Sequence, residues 1–194
     1  MTGWTAIVPI KPLGDRKTRL AGYLTARDRA YLSETLFAGV IGTLQASPEV
    51  ARILVVAKRP PDVCGPEDNV VEWVVDRGKG LNAALEDARL VAGDGRQLIL
   101  HADLPLVAPA DIAALLAAAG DDIAIAPDRR RIGTNALAIG AGRRIVLRFG
   151  DNSFASHRDQ YPNAAILSGR PGLEIDIDAP ADYVEALRLG WLPD

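Results

Sequence analysis

An acidic residue directly follows an apolar run near the middle of the chain. The run from Gln97 to Ala102 predicts a buried strand, and Asp103 comes next. In open α/β sheets, ligands bind at the carboxyl ends of the strands. A second apolar run, from Leu173 to Ile177, also predicts a strand, and the acids Asp176 and Asp178 lie at its end. Mg²⁺ prefers one or two carboxylates together with phosphate oxygens, so we predict a metal site at Asp103 and these later acids. The simpler alternative is that Asp103 only caps a turn.

Several cations follow the first predicted strand, which spans Trp4 to Ile10. They are Lys11, Arg16, Lys17 and Arg19. In a doubly wound sheet this loop faces the ligand crevice, where Arg binds phosphate with two hydrogen bonds and Lys acts as a point charge. The alternative is a solvated surface loop. The loop lacks the glycine spacing of the dinucleotide-binding fingerprint and of the P-loop, which argues against hydride transfer on NAD and against P-loop ATP hydrolysis.

A glycine-rich turn lies between a predicted strand, Val70 to Val75, and a predicted helix, Leu81 to Ala92. Its glycines, Gly78 and Gly80, would let backbone N–H groups approach a ligand at the start of that helix. Asn82 could contact a base or a ribose. The alternative is a plain turn that requires positive φ angles.

Two later segments combine a cation, a glycine and small polar side chains. They are Arg131 to Ala136 and Arg148 to Phe154. Their hydroxyls, from Thr134 and Ser153, suit a second anion, and a helix beginning at Ser153 would add a favourable dipole. The alternative for each segment is a tight turn with a helix cap. Arg158, about one helical turn later, is a candidate for an acceptor carboxylate or phosphate.

The elements that must position these residues alternate between strand and helix along most of the chain. The strongest helix runs from Thr25 to Leu44, with Thr25 as N-cap and Asp28 completing a variant capping box. Alternation of this kind predicts an α/β fold with a doubly wound, mostly parallel sheet, covered by helices on both faces. After Pro127 the runs Asn135 to Ile139 and Ile145 to Phe149 predict a small β insertion over the active-site edge.

The bulk composition favours one globular domain that spans residues 1–194. Apolar residues make up 48% of the chain and charged residues 24%, which is ordinary for a folded protein. A net charge of −3 without a long basic block argues against general nucleic-acid binding. The single cysteine, Cys64, excludes an internal disulfide and a cysteine zinc cluster. No window reaches the length of a membrane span, so we expect a cytoplasmic protein that does not contact membranes.

Taken together, these segments resemble the CofC/FbiD family of MobA-like nucleotidyltransferases, which make guanylated intermediates for coenzyme F-420. The matching stretches run in family order over nearly the whole chain: Pro9 to Leu13 with Lys17 to Leu20, Gly80 to Leu85, His101 to Pro105, Gly133 to Leu137, Arg148 to Phe154 through His157, and Asp176 to Asp182. The resemblance implies a Rossmann-like nucleotidyltransferase fold.

The resemblance also implies roles for the candidate residues. It implies Mg²⁺ at Asp103 and at Asp176 or Asp178, and contacts to a phosphorylated three-carbon acceptor from Thr134, Gly150 and Ser153. Asn135 stands where some members have a small residue, in the pocket that touches the acceptor. We place Asn135 and Arg158 in the acceptor set as well. Catalytic roles go to Lys11, Lys17, Arg19 and Asp103, and GTP contacts to Arg16, Gly78, Gly80 and Asn82.

The implied reaction is attack by an acceptor phosphate oxygen on the α-phosphorus of GTP, with release of pyrophosphate. A phosphate nucleophile is already ionised near neutral pH, which agrees with the lack of a convincing His or Cys catalyst. Phosphoenolpyruvate, 2-phospho-L-lactate and 3-phospho-D-glycerate all stay open as acceptors. A MobA-like or sugar-phosphate nucleotidyltransferase is the alternative enzyme, and a nucleotide-binding regulator is the non-catalytic one. The oligomeric state is left open, with a homodimer as one option.

Overall fold

The computed structural model describes residues 3–10, 17–60 and 70–192. Lys11, Arg16 and Cys64 lie outside these ranges. The strands are β1 (Trp4–Pro9), β2 (Val50–Ala57), β3 (Val71–Val75), β4 (Gln97–Leu100), β5 (Ile123–Pro127), β6 (Thr134–Ile139) and β7 (Ala165–Ile166). The α-helices are α1 (Ala26–Gln45), α2 (Leu81–Ala92), α3 (Pro109–Ala119), α4 (Ser153–Gln160), α5 (Pro171–Glu174) and α6 (Pro180–Arg188), and a short 3-10 helix spans Thr18–Leu20.

The strands form one seven-stranded sheet in the order β3-β2-β1-β4-β6-β5-β7. The pairs β1–β2, β2–β3, β1–β4 and β5–β7 are parallel, whereas β6 runs antiparallel to both β4 and β5. The predicted doubly wound, mostly parallel α/β fold is therefore confirmed. The chain adds β2 and β3 on one side of β1 and then places β4 on the other side, so the strand order reverses between β1 and β4. In doubly wound folds, ligands bind in the crevice at such a point.

The predicted β insertion is wrong in its placement. Its first run is β6, a fully buried strand inside the main sheet, and its second run, 145–149, forms no strand. Side chains bind the backbone of that second run instead: Arg89 Nη1 donates to the Ile145 carbonyl at 2.9 Å, and the Val146 N–H donates to Gln160 Oε1 at 2.9 Å. Backbone groups bound in this way need no neighbouring strand.

Alternating side chains of the strands build a core on each face of the sheet. In β1, Ala6 and Val8 join a cluster with residues of α1 and α3, whereas Ile7 joins the opposite cluster with residues of α2. This alternation is what a strand covered on both faces requires. Within the part of the chain that the structure describes, no helix is both long and apolar enough to cross a membrane.

The helix signals in the sequence explain where the main helices begin. The Thr25 side chain accepts the Asp28 N–H at 3.2 Å, and Asp28 accepts from the Thr25 N–H at 3.3 Å, which completes the capping box of α1. Pro109 and Pro180 each start a helix at the first turn, where a missing N–H costs nothing.

A third, smaller apolar cluster holds together the segments that carry the candidate chemistry. It packs Leu20 of the 3-10 helix and Leu36 of α1 against Ile175 and Ile177. The sequence predicted a strand from Leu173 to Ile177, which is wrong: Pro171 starts the single turn of α5, and extended residues follow it. Both isoleucines point into the cluster, so the intervening Asp176 and the following Asp178 face the cleft described next.

Candidate active site

A cleft of about 680 Å³ lies at the carboxyl ends of β1 and β4. Pro9 and Ile10 at the end of β1, and His101 to Asp103 after β4, are among its lining residues. This is the position at which a doubly wound sheet binds ligands. Most of the predicted site residues that the structure describes line this one cleft: Lys17, Arg19, Gly78, Gly80, Asp103, Thr134, Asn135, Gly150, Ser153, Asp176 and Asp178.

Three carboxylates converge at one side of the cleft. Asp103, Asp176 and Asp178 each offer an oxygen, and these oxygens all lie within 4.8 Å of one another. The two acidic segments are joined through the backbone, because the Ile177 N–H donates to the Asp103 carbonyl at 3.1 Å. The acids predicted from separate parts of the sequence therefore form one cluster.

Lys17 reaches into this cluster as a buried cation. Its Nζ lies 2.7 Å from Asp103 Oδ2 and 3.4 Å from Asp178 Oδ1, and its side chain is only 7% exposed. Burial alone would lower the pKa of Lys17, but the carboxylates of Asp103 and Asp178 outweigh it and raise that pKa. Lys17 also has a left-handed backbone (φ 52°), a conformation that is unfavourable for a side-chain-bearing residue. Arg19 lies further out, 3.8 Å from Asp178 and 75% exposed.

Excess negative charge remains in the cluster despite Lys17. Burial, together with the carboxylates of Asp103 and Asp178, raises the pKa of Asp176 to about 7. A bound divalent cation would relieve this repulsion. Three carboxylates within reach of one another are hard oxygen donors, so the donor set fits Mg²⁺, with its remaining positions open to water or phosphate oxygens.

The glycine turn borders the cleft on the side of α2. Gly78 (φ 75°) and Gly80 (φ 94°) have backbone conformations that disfavour side chains, and a Cβ at either would meet no atom within 4 Å. The glycines are thus required by the turn itself, and they leave open space beside it. Asp76 accepts the Gly78 N–H at 2.8 Å and stabilises the turn.

Asn82, predicted to contact GTP, binds the backbone of Phe149. Its Nδ2 donates to the Phe149 carbonyl at 3.0 Å, and its Oδ1 accepts the Phe149 N–H at 2.8 Å. Asn82 is not among the residues that line the cleft. In the structure Asn82 anchors the 145–149 segment to α2, and its contact with GTP stays a prediction.

Two buried hydroxyls lie together at the other side of the cleft. Thr134 and Ser153 are 1% and 2% exposed, and Ser153 Oγ accepts the Thr134 N–H at 2.9 Å. Asn135 also lines the cleft, while its Nδ2 donates to the Leu173 carbonyl at 3.0 Å. The Phe154 N–H donates to the Ile132 carbonyl, which joins the start of α4 to the loop before β6. The two predicted acceptor segments are therefore one unit.

Arg158 lies outside this unit. Its guanidinium is half exposed, lies 3.7 Å from Asp159 and packs over the Phe154 ring at 5.6 Å. It does not line the cleft. The structure thus separates Arg158 from the acceptor residues with which the sequence had grouped it.

Sequence reasoning missed the first half of the loop between β5 and β6, residues 128–130. The Asp128 carboxylate accepts the N–H groups of Ile132 and Gly133 at 2.9 Å each, which closes the loop. Arg129 is ion-paired with Asp182, and Arg130, which is 59% exposed, lies 3.9 Å from the same carboxylate and lines the cleft. The run of three arginines after Pro127 was the signal.

Two further missed residues had local signals of their own. Lys58 directly follows β2 and lines the cleft, at the same edge of the sheet as Asp103. Asp182 is the third residue of α6, after Pro180, and its Oδ2 accepts the Ala179 N–H at 2.7 Å. That spacing is typical of a helix cap, and it ties the acid cluster to the arginine loop.

Comparison with known proteins assigns the chain to a family. The family described as "Guanylyl transferase CofC like" matches residues 4–187. A phosphoenolpyruvate guanylyltransferase of Rubrobacter xylanophilus is 37% identical over 91% of this chain and 90% of its own. One of Salinispora arenicola is 36% identical over 98% of this chain and 90% of its own.

Solved structures agree at the level of the fold. A 4-diphosphocytidyl-2C-methyl-D-erythritol synthase of Anaerococcus prevotii superposes with a TM-score of 0.63 at 13% identity, covering 97% of this chain and 96% of its own. A nucleotidyl transferase of Methanothermobacter superposes equally well at 18% identity, covering 98% and 100%. With the converging acids and the family match across nearly its whole length, the chain belongs to the CofC-like guanylyltransferase family.

Proposed function

We propose that this protein transfers GMP from GTP to the phosphate of phosphoenolpyruvate and releases pyrophosphate. The observation that carries the proposal is the pairing, in one cleft, of a carboxylate cluster at Asp103 with a hydroxyl pocket at Thr134 and Ser153. The first suits a nucleotide triphosphate with its metal, and the second suits a separate small anion.

The choice of phosphoenolpyruvate comes from the relatives. Curated proteins with that named activity are 32–37% identical to this chain over most of its length. 2-Phospho-L-lactate and 3-phospho-D-glycerate are the competing acceptors, because they carry the same phosphate and carboxylate. The product would be an intermediate of coenzyme F-420 synthesis, as in the family that the sequence resembles.

Binding of the nucleotide would use the cations and the glycine turn. Lys17 and Arg19 lie beside the acid cluster, where they would neutralise the triphosphate and the leaving pyrophosphate. The open space at Gly78 and Gly80 would receive the ribose or the guanine next to the start of α2. Lys11 and Arg16 precede Lys17 closely in the sequence and are proposed to assist it.

Mg²⁺ would be held by Asp103, Asp176 and Asp178. When bound, it supplies charge neutralisation for the nucleotide phosphates. Lys17 would neutralise Asp103 before the substrates bind. When Asp103 binds the metal, the Lys17 ammonium would be free to bind phosphate oxygens. The three carboxylates would fix the position of the metal and so define where a triphosphate can lie in the cleft.

Catalysis would consist of alignment and charge neutralisation. A phosphate oxygen of the acceptor forms a bond to the α-phosphorus of GTP, the bond from that phosphorus to the β-phosphate oxygen breaks, and pyrophosphate leaves with the electron pair. The acceptor phosphate has its second pKa near 6, so it is ionised at neutral pH and needs no general base. The protein therefore has to hold the two anions in line and cancel their repulsion.

The test is to incubate the protein with GTP and Mg²⁺ and with each of the three acceptors separately, and to measure pyrophosphate release. The proposal predicts turnover with phosphoenolpyruvate and much slower turnover with the other two. Replacing GTP by ATP, CTP or UTP is expected to reduce the rate strongly. Turnover only with a sugar phosphate, or pyrophosphate release that needs no acceptor, would contradict the proposal.

A further inference from the structure

We propose that His157 is a positioning residue that makes the Thr134 hydroxyl a hydrogen-bond donor toward the anionic oxygens of the acceptor. The inference rests on the proposed function and deepens it, because it says how the acceptor pocket selects oxygen acceptors. His157 itself does not line the cleft and would act only through Thr134.

His157 is held in α4 by two hydrogen-bonding partners. It is fully buried, its Nε2 accepts the backbone N–H of Arg148 at 3.0 Å, and its Nδ1 lies 3.0 Å from Thr134 Oγ1. The ring also packs edge-on against Phe149, with 4.9 Å between the ring centroids. These contacts leave the imidazole one orientation.

The backbone N–H of Arg148 determines which nitrogen of His157 carries the proton. A backbone N–H can only donate, so Nε2 must present its lone pair and cannot be protonated. A neutral imidazole has one N–H, which therefore lies on Nδ1. Burial, together with the nearby His101, lowers the pKa of His157 to about 4, so the ring is neutral at pH 7.

The protonated Nδ1 in turn fixes the polarity of Thr134. Nδ1–H donates to Thr134 Oγ1, so the hydroxyl proton of Thr134 cannot point back at His157. Thr134 lines the cleft, and the cleft is where this proton can find an acceptor. A carboxylate or phosphate oxygen would accept it, whereas an N–H donor would be rejected.

The hydroxyl of Ser153, which lies next to Thr134 in the pocket, is restricted in the same way. Its Oγ accepts the backbone N–H of Thr134 at 2.9 Å, so its own proton is also available to a ligand. Two neutral hydroxyl donors side by side can bind an anion without adding a charge to the cleft. Because His157 controls one of them, its tautomer sets part of the pocket's preference for anionic oxygens.

The tautomer can be read directly in the unmodified protein. The chain has only two histidines, so ¹⁵N-labelled histidine gives few signals, and one variant of His101 assigns them. Long-range ¹H–¹⁵N correlation at pH 7 is expected to show His157 protonated on Nδ1. Protonation on Nε2 would overturn the proposal, whether or not the enzyme turns over.

Variants separate the two hydrogen bonds of His157. His157→Gln keeps an acceptor near the Nε2 position and loses the donor to Thr134, so it is expected to raise the KM for the acceptor about tenfold with little change in the KM for GTP. His157→Asn keeps a donor near Nδ1 and is expected to lose less. Equal rises in both KM values would overturn the proposal.

A matched control distinguishes positioning from folding. Gln160, also in α4, binds both the N–H and the carbonyl of Val146 but does not touch Thr134. Gln160→Ala is expected to lower the unfolding temperature and to leave the acceptor KM unchanged.

A double variant tests whether His157 acts through Thr134. In a Thr134→Val background, His157→Gln should have no further effect on the acceptor KM; an undiminished effect there would contradict action through Thr134. If the wild type does not turn over at all, the proposed function fails, while the tautomer measurement still decides the role of His157.

Discussion

Asp103 and Ile177 are joined by a backbone hydrogen bond of 3.1 Å, although they lie in separate segments of the chain. The bond holds the residues on either side of Ile177, Asp176 and Asp178, next to the carboxylate of Asp103. A nucleotide site can therefore form where neither segment alone could build one. The predictions below address what each part of this arrangement contributes.

The first prediction concerns the acid cluster. Asp103→Asn keeps the size of the side chain and removes its charge, so we expect kcat/KM to fall by about 100-fold or more while the far-ultraviolet circular dichroism spectrum stays the same. The control is Asp121→Asn, an 81% exposed carboxylate on the surface, which should keep full activity. Normal turnover of Asp103→Asn with Mg²⁺ would remove this carboxylate from the site.

A second prediction follows from the position of Lys17 among the carboxylates. Lys17→Met leaves three clustered carboxylates without their buried cation, so we expect a lower unfolding temperature in a chelator and a much higher KM for GTP. Adding Mg²⁺ should raise the unfolding temperature of this variant more than that of the wild type, because the lysine no longer competes for Asp103. Equal shifts in the two proteins, measured by calorimetry, would show that the metal does not bind where Lys17 lies.

The third prediction is a pH dependence of stability at His157. Its pKa is about 4 in the folded protein and about 6.5 when unfolded, so the unfolded state binds the proton more readily. The stabilisation is complete above pH 6.5 and is lost as the pH falls toward 4, by about 2 kcal/mol at pH 5. His101 is the titratable group that faces it.

Urea unfolding at pH 8 and pH 5 measures this loss. The comparison is made with His157→Gln, which retains the other titrating groups, so the difference between the two proteins isolates His157. The wild type should lose more stability than the variant on acidification. Identical losses would mean that His157 keeps an ordinary pKa in the folded state.

The sequence predicts the ends of some helices and one acid of the candidate site correctly. The limits of α2 and the start of α4 follow from the apolar spacing and the flanking glycine or serine, and the structure reproduces them. Asp103 was recognisable because an acid directly after a buried run lies at the carboxyl edge of the sheet, where ligands bind. These are local signals, carried by neighbours in the chain.

The strand predicted at 145–149 is wrong because side chains that are distant in sequence determine the backbone conformation there. The 145–149 segment has the composition of a strand, but Arg89, Gln160, His157 and Asn82 bind its backbone from two helices. Asn82 was assigned to the nucleotide because it follows the glycine turn, and its hydrogen bonds to Phe149, 67 residues away, could not be foreseen from the sequence. These hydrogen bonds join residues that are not neighbours in the sequence and produce no recognisable sequence pattern, so only the folded structure reveals them.

A fourth prediction concerns the link between the two sides of the cleft. Asp182 caps α6 and is ion-paired with Arg129 of the β5–β6 loop while being largely buried. Asp182→Asn should destabilise the protein by about 2 kcal/mol, since it weakens both the cap and the pair, and should raise the KM values for both substrates. Glu185→Gln, on the same helix but in an exposed pair with Arg188, is the control and should change little. Matching effects of the two substitutions would contradict the assigned role of Asp182.

The most direct test of the account follows the oxygen atoms of the acceptor. Phosphoenolpyruvate labelled with ¹⁸O in its non-bridging phosphate oxygens is incubated with the protein, GTP and Mg²⁺, and the products are analysed by mass spectrometry. If the acceptor phosphate attacks the α-phosphorus, all the label stays in a product that joins GMP to phosphoenolpyruvate, and the pyrophosphate carries none. Label in the released phosphate species, or GMP that is not attached to the acceptor, would contradict the guanylyl transfer that we propose.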